Sequence, residues 1–524
     1  MLSLSKLMKV WFVTFLALTL VVGCSSGNTN GNTGNSAANN GTSVSNEKPS
    51  ESAKNEEKLD ISIAVRYWGG SPSWTDDHPT IKYLNDKFNI NIKLLQINGP
   101  DYDEKLKVMA ASGDLPDLYN IATPSMYINW QAEGAFADLS TRLQNYPNLS
   151  KTFSEDDVAV RVLNPSDKLY GLPEISWIAR DTIQIRKDWL DNLGLELPSA
   201  DEFTIDKFYE IAKAFATQDA NQNGIKDEIG FAIVPAVMTY PLKYAFGIAN
   251  GWTEKDGQLI PQQIQVDEWK AYLTFLNKAY QEGVLDQDFA LRNSNDVEEM
   301  IKGNRLGLFL FRNTYKQLVG EIKKTFPETE PEVIPMAPPI GPNGDRGNGG
   351  YNIGLTKTVI NAKASDAKID RILQILDWWV TEEGTSVMKN GIEGVHYEKN
   401  AQGEYVITDR WEPDMPRNLN SNLFHRPGTD FNIYLWSDEQ DVLDHQEYEA
   451  LAKKYVVLNE AMGLEFYSDT YQKKAADLDA KFETALLKII VGDQPIEYIE
   501  QASAEWLAGG GDQIIKEINE AAAR

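Results

Sequence analysis

An α/β fold with a mainly parallel sheet, spread over two or more compact units, is the class this sequence predicts. Two observations carry it. Short β-like runs alternate with helix-like runs from residue 59 onward, and 524 residues are too many for one hydrophobic core. LDISIAVRYW (59–68) alternates Ile and Val and reads as a strand. HPTIKYLNDKFNI (78–90) carries Ile81, Leu84 and Phe88 at helical spacing, and NIKLLQI (91–97) follows as a second strand. DYDEKLKVMAASGD (101–114) is helical with a Gly stop, LPDLYNI (115–121) is a third strand, and SMYINWQAEGAFADL (125–139) resumes helix. Further on, FTIDKFYEIAKAFA (203–216) places Phe208, Ile211 and Phe215 on one face behind a Thr204 cap.

The N-terminus has a different character. Lys6 and Lys9 precede an apolar stretch, Val10 to Val22, that is short for a permanent membrane span and suits a secretory signal. Val21-Val22-Gly23-Cys24 resembles the bacterial lipobox, which implies cleavage after residue 23 and diacylation of Cys24. Cys24 is the single cysteine, so no internal disulfide is available. Residues 24–58 are nearly all Ser, Asn, Gly, Thr and charge, and cannot bury apolar surface. They predict a disordered tether reaching on the order of 30 Å, holding a soluble body at the outer face of a membrane.

Charge and residue inventory exclude some functions. A formal net charge of −27 opposes nucleic-acid binding and favours a soluble monomer. The four His (His78, His396, His425, His445) show no metal-ligand spacing and no readable nucleophile partner, so no catalytic residue is assigned. GPNGDRGNGG (341–350) lacks the Lys-Ser/Thr ending of a phosphate loop and reads as a connecting loop.

Several motifs occur in a telling order. YGLPEISWIARDTIQIRKDWLDNLGLELP (170–198), EWKAYLTFLNKAYQEGVLDQDF (268–289), GNRLGLFLF (303–311) and IDRILQILDWWVTEEGTSVMKNGIEGVHY (369–397) follow one another. This ordered set resembles the family 1 extracellular solute-binding proteins, the sugar-binding components of ABC importers, in a Gram-positive lipoprotein subgroup related to alginate-oligosaccharide-binding members. The resemblance implies a two-lobe periplasmic-binding-protein-like fold with a ligand cleft between the lobes and hinge crossings. Crossings are expected near 172–178, within 333–354 and within 405–435. Lobe one would hold 59–174 plus 345–410, and lobe two 175–344 plus 411–524. The implied activity is capture of an oligosaccharide for ABC permease subunits by cleft closure, without bond making or breaking. A tethered polysaccharide-degrading enzyme, or a surface sugar sensor or adhesin on the same fold, are the alternatives.

A sugar ring offers an apolar C–H face and a rim of hydroxyls, which suit flat aromatic faces and polar side chains respectively. Candidate ligand residues are therefore aromatic or polar groups near strand ends and crossings. They are Arg66, Trp68, Trp74, Asn120, Trp177, Arg180, Trp252, Arg312, Tyr351, His425 and Trp436. Trp130, Trp189 and Trp378-Trp379 read as core. One further stretch, DANQNGIKDE (219–228), has most of a calcium loop. Asp219, Asn221, Asn223, Asp227 and Glu228 are side-chain ligand candidates, Ile225 would offer its carbonyl, and Gly224 takes the turn. Position 12 is Gly230 instead of the usual Glu, and a β-like run follows instead of a helix. The resemblance implies one structural calcium here; the residues alone also allow a plain Asn-Gly turn.

Overall fold

The strands, in chain order, are β1 (Leu59–Tyr67), β2 (Ile90–Asn98), β3 (Leu118–Ile121), β4 (Gly171–Pro173), β5 (Thr182–Arg186), β6 (Ile229–Phe231), β7 (Trp252–Lys255) and β8 (Gln258–Pro261). They continue as β9 (Leu306–Phe311), β10 (Val333–Met336), β11 (Asn348–Gly349), β12 (Lys357–Ile360), β13 (Tyr397–Lys399), β14 (Tyr405–Ile407) and β15 (Val456–Val457). The computed structural model describes residues 57–67, 74–75, 77–153, 158–164, 168–174, 182–234, 242–311, 315–350, 354–415, 423–429 and 433–523. The expected signal segment, Cys24 and nearly all of the tether lie outside them. Among the described residues no helix is long and apolar enough to cross a membrane.

The first sheet has the order β2-β1-β3-β12-β4. β1 runs parallel to β2 and β3, while β12 runs antiparallel to β3 and β4, so β1 to β4 all point one way. Alternation along β1 sets the packing: Ile61, Ile63 and Val65 enter one core, and Ala64 enters another. The helix Pro79–Phe88 returns the chain between β1 and β2 and buries Ile81 and Leu84, as its spacing predicts. The helix Asp366–Trp379 covers the same core with Ile369, Ile372, Leu373 and Leu376, and Ser365 caps it by accepting from the Lys368 N–H. Trp378 and Trp379 are buried there, in keeping with a packing role.

The second sheet has the order β10-β5-β9-β6 and departs from the parallel expectation. β5 pairs antiparallel with both β9 and β10, and only β6 and β9 are parallel. Helix Ile205–Thr217 packs Phe208, Ile211, Ala212 and Phe215 into this lobe's core, and the Thr204 hydroxyl caps it by accepting from the Lys207 N–H at 3.2 Å. Trp189 meets Phe215 edge-on at 5.3 Å and is fully buried. Three C-terminal helices, Asp469–Val491, Tyr498–Trp506 and Asp512–Ala522, complete the same core.

The chain leaves the first sheet after Pro173 and joins the second at Thr182; it leaves the second after Met336 and rejoins the first at Lys357. Two expected lobe limits move. Leu423 and Phe424 belong to the first core, beyond the limit at 410, because Phe424 packs edge-on against Trp379 at 5.8 Å and the Leu423 carbonyl accepts from Thr358 Oγ1 at 2.5 Å. Residues 346–349, expected in lobe one, instead pair and stack with the 455–457 segment: β11 lies beside β15, and the Arg346 guanidinium sits 4.5 Å from the Tyr455 ring. Further along, the turn Leu464–Tyr467 touches both lobes, with Leu464 packed on the second lobe's core and Phe466 on the cluster of Ala64, Tyr102 and Tyr119 on the first sheet.

Candidate ligand-binding site

The carboxyl ends of β1, β3 and β4 bring polar side chains together at the edge from which the chain crosses to the second sheet. In open α/β sheets this edge is where ligands are held. Arg66 sits one residue before the end of β1, Asn120 lies in β3, and Glu174 follows β4. The helix Tyr102–Ser112, after β2, adds Tyr102 and Asp103. The Arg66 guanidinium lies 4.5 Å from the Tyr102 ring centre and 3.5 Å from Asp103 Oδ1. Thr123 Oγ1 donates to Asp103 Oδ2. Asn120 Nδ2 donates to Glu174 Oε2 at 3.3 Å, and the Glu174 N–H donates to the Thr356 carbonyl at 2.9 Å. Burial pushes the Glu174 carboxyl up to about 7, with Arg66 and Asn120 opposing the rise. Burial likewise pushes the Tyr102 hydroxyl up.

Glu174 is a residue the sequence reading missed. The available signal was a lone carboxylate inside the apolar run GLPEISW; its meaning depended on the pairing of β4 with β12, which lies far along the chain.

Two expected platforms prove to be core. Trp74 is 4% exposed and stacks on His78, ring centres 4.0 Å apart and planes 7° apart. His78 is fixed in turn: its Nδ1 accepts from the Thr80 N–H at 3.2 Å, which leaves Nε2 to donate to the Asp414 carbonyl at 3.0 Å. His396 stands 6.3 Å from His78, and burial holds both imidazoles below the usual range. Trp252 is 5% exposed within the second core, and its carbonyl accepts from the Glu460 N–H. Both indoles are thus enclosed by protein and leave no face for a sugar. His425 is also buried.

Trp436 has a different setting. Its ring stacks on Tyr434 at 5.1 Å and 6°, meets Trp411 edge-on at 5.2 Å and lies 6.0 Å from Tyr397. Tyr405 joins through Tyr397, and β13 with β14 supports the group. Trp436, Trp411, Tyr434 and Tyr405 all stay partly exposed. Of this cluster only Trp436 was named from sequence. Trp68, Trp177, Arg180, Arg312 and Tyr351 lie outside the described residues.

The loop 219–228 is organised around inward-facing oxygens. Asp219 accepts from the N–H groups of Asn223 (3.1 Å) and Gly224 (3.0 Å), and Asn223 Oδ1 accepts from the Ile225 N–H at 2.6 Å. Asn221 Nδ2 donates to the Asn304 carbonyl at 2.9 Å, and the Asn221 N–H donates to Glu228 Oε1 at 3.2 Å. Gly224 takes the left-handed conformation, φ 78°. Gly230 explains the missing twelfth ligand: a Cβ there would stand 2.5 Å from the carbonyls of Ala212 and Val284. No side chain fits where β6 passes that helix. Glu228, two residues earlier, is buried, and its Oε2 has no hydrogen-bond partner among the described residues. Burial, the largest cause, raises its carboxyl, and Asp219 and Asp227 add to the rise. No trio of His, Cys, Asp or Glu alone is arranged for a metal among the described residues. The donor set here mixes carboxylates with amides, a composition suited to a hard cation.

The fold and this edge define a class, two-lobe binding proteins, and comparison with known families agrees. The chain belongs to the family described as bacterial extracellular solute-binding protein, whose model matches residues 71–386. It is 26% identical to Lipoprotein LipO of Bacillus subtilis (strain 168) over 98% of both chains. It is 27% identical to the polygalacturonan/rhamnogalacturonan-binding protein YtcQ of the same organism, over 84% of this chain and 87% of the relative. Among solved structures, the ABC-transporter substrate binding protein FusA of Streptococcus pneumoniae in complex with kestose superposes with a TM-score of 0.67. That match has 18% identity and covers 88% of this chain and 98% of the other.

Proposed function

We propose that this protein captures an oligosaccharide outside the cell and delivers it to an ABC permease, acting by lobe closure and not as an enzyme. The observation that carries the reading is the meeting of Arg66, Asn120 and Glu174 at the carboxyl ends of their strands, beside a crossing, in a chain of this family. These groups can hydrogen-bond sugar hydroxyls, and the partly exposed Trp436 cluster offers the flat apolar faces that sugar rings prefer. The names of YtcQ and FusA support a carbohydrate ligand. Closure would bend the chain where it passes between the sheets, between Pro173 and Thr182 and between Met336 and Lys357, and again where it returns from Phe424 to the helix Asp469–Val491. A thermal-shift screen of the purified protein with oligosaccharides tests the reading, because a ligand at 100 times its Kd stabilises by about 2.7 kcal/mol. A shift with peptides and none with any sugar would overturn it.

Anchoring through a diacylated Cys24 belongs to the same proposal and is supported by the lipoprotein relative LipO. Cys24→Ser is expected to move the protein from the membrane fraction to the medium; retention in the membrane fraction would sink the anchor.

The loop 219–228 fits a structural calcium ion. Asp219, Asn221, Asn223, Asp227 and Glu228 would supply side-chain oxygens and Ile225 its carbonyl, and the ion would neutralise the crowded carboxylates. The partnerless buried Glu228 Oε2 supports this. EDTA is expected to lower Tm while sugar affinity of the folded protein stays unchanged. No change in Tm would argue for a plain turn.

A further inference from the structure

The polar edge of the first sheet carries information about ligand charge. Its cations are already engaged. Arg66 stacks on Tyr102, points a nitrogen at Asp103 and attracts Glu174. Among the described residues, the other cation at this end of the sheet is Lys357, flanked in register by Ile121 of β3 and Pro173 of β4, and it is fully buried. Its ammonium donates to the carbonyls of Ala159 at 2.7 Å and Val160 at 3.3 Å. The donors of Thr123 and Asn120 are likewise turned inward, onto Asp103 and Glu174. What the described residues of the edge have left is acceptor capacity, since each carboxylate oxygen takes more than one hydrogen bond.

We propose that this edge selects neutral oligosaccharides over uronate-bearing ones, with Asp103 and Glu174 accepting hydrogen bonds from sugar hydroxyls. The inference rests on the sugar-binding reading above and adds the ligand class. A uronate carboxylate placed here would meet the Asp103 carboxylate, with the Arg66 guanidinium already paired to it, and like charges at short range oppose binding. Neutral hydroxyls meet only acceptors. Recognition at this edge would then differ from that named for YtcQ, although the two chains are 27% identical.

The test is calorimetric titration of the purified protein with neutral oligosaccharides (fructo-, malto-, xylo- and galacto-series) and with oligogalacturonides of matched length. One neutral series is expected to bind at least a hundredfold more tightly than the oligogalacturonides, with little dependence on salt. Glu174→Gln and Asp103→Asn are each expected to weaken that binding about tenfold, the scale of a hydrogen bond to a charged group. Tighter binding of oligogalacturonides, weakened by salt, would overturn this inference and leave the sugar-binding reading standing. Binding of neither class would overturn both. Unchanged affinity in both variants would remove Asp103 and Glu174 from recognition. If one variant fails to fold, the other variant and the wild-type preference still decide.

Discussion

Two regions of this molecule are built from aromatic rings, and they use them in opposite ways. In the second core, Trp269 is 1% exposed, meets Phe482 edge-on at 5.8 Å, and donates its indole N–H to the Gln262 carbonyl at 2.8 Å. Trp506 is also buried and donates to Asp479 Oδ1 at 2.9 Å. Around Trp436 the rings gather at the surface of the β13–β14 hairpin, and four of the five keep part of their faces open to solvent. The first arrangement encloses its rings and engages the indole N–H groups of Trp269 and Trp506. The second leaves ring surface over, and a remaining face is what a ligand can use.

The sharpest way to break this contrast is to truncate one ring from each region. Trp269→Ala is expected to cost about 3–5 kcal/mol in urea unfolding, the range for removing a buried aromatic. Trp436→Ala is expected to cost only about 0.5–1.5 kcal/mol, the worth of an aromatic pair, while weakening sugar binding severalfold. Equal stability losses with unchanged affinity would erase the distinction between the regions.

A smaller effect extends the contrast to carboxylates. Glu517 accepts from Ser468 Oγ, from the Thr470 N–H and hydroxyl, and from Gln513 Nε2, and these donors hold it down to about 2 despite partial burial. Its folded value lies below the ordinary 4.5, so its stabilisation is complete above 4.5 and fades as the pH falls toward about 2. Glu465 is buried with Asn459 Nδ2 donating to one oxygen, and its other oxygen has no side-chain hydrogen-bond partner among the described residues. Burial raises it above 4.5, so its charged form opposes folding increasingly as the pH rises past 4.5. At pH 7, Glu465→Gln is therefore expected to raise Tm by a degree or more, and Glu517→Gln to lower it. Movement of both variants in the same direction would show that donors, not burial alone, fail to separate the two sites.

Much of the fold was legible because it is local. The alternation Ile61, Ile63, Val65 and the spacing Phe208, Ile211, Phe215 each declare a face within one element. Thr204 declares a helix start within one turn. The site was only half legible, because its partners come from distant segments. Trp74 looked like a platform, and its burial follows from His78, held by Asp414 more than three hundred residues away. Glu174 looked like one acid among 77 until the β4–β12 pairing placed it beside Asn120. Arg66 and Asn120 lie at the strand ends where the sequence places them, because a strand end can be read from sequence. The mostly antiparallel second sheet was missed because helix–strand alternation does not record the direction in which a crossing segment enters.

The turn Leu464–Tyr467 has a thermodynamic consequence. Its successive apolar side chains are shared between two cores, Leu464 with one and Phe466 with the other. Melting either lobe would expose surface belonging to the other's boundary, so partial unfolding carries an added penalty. Heating is thus expected to give a single calorimetric peak, with hinge bending and global unfolding remaining separate events on separate energy scales.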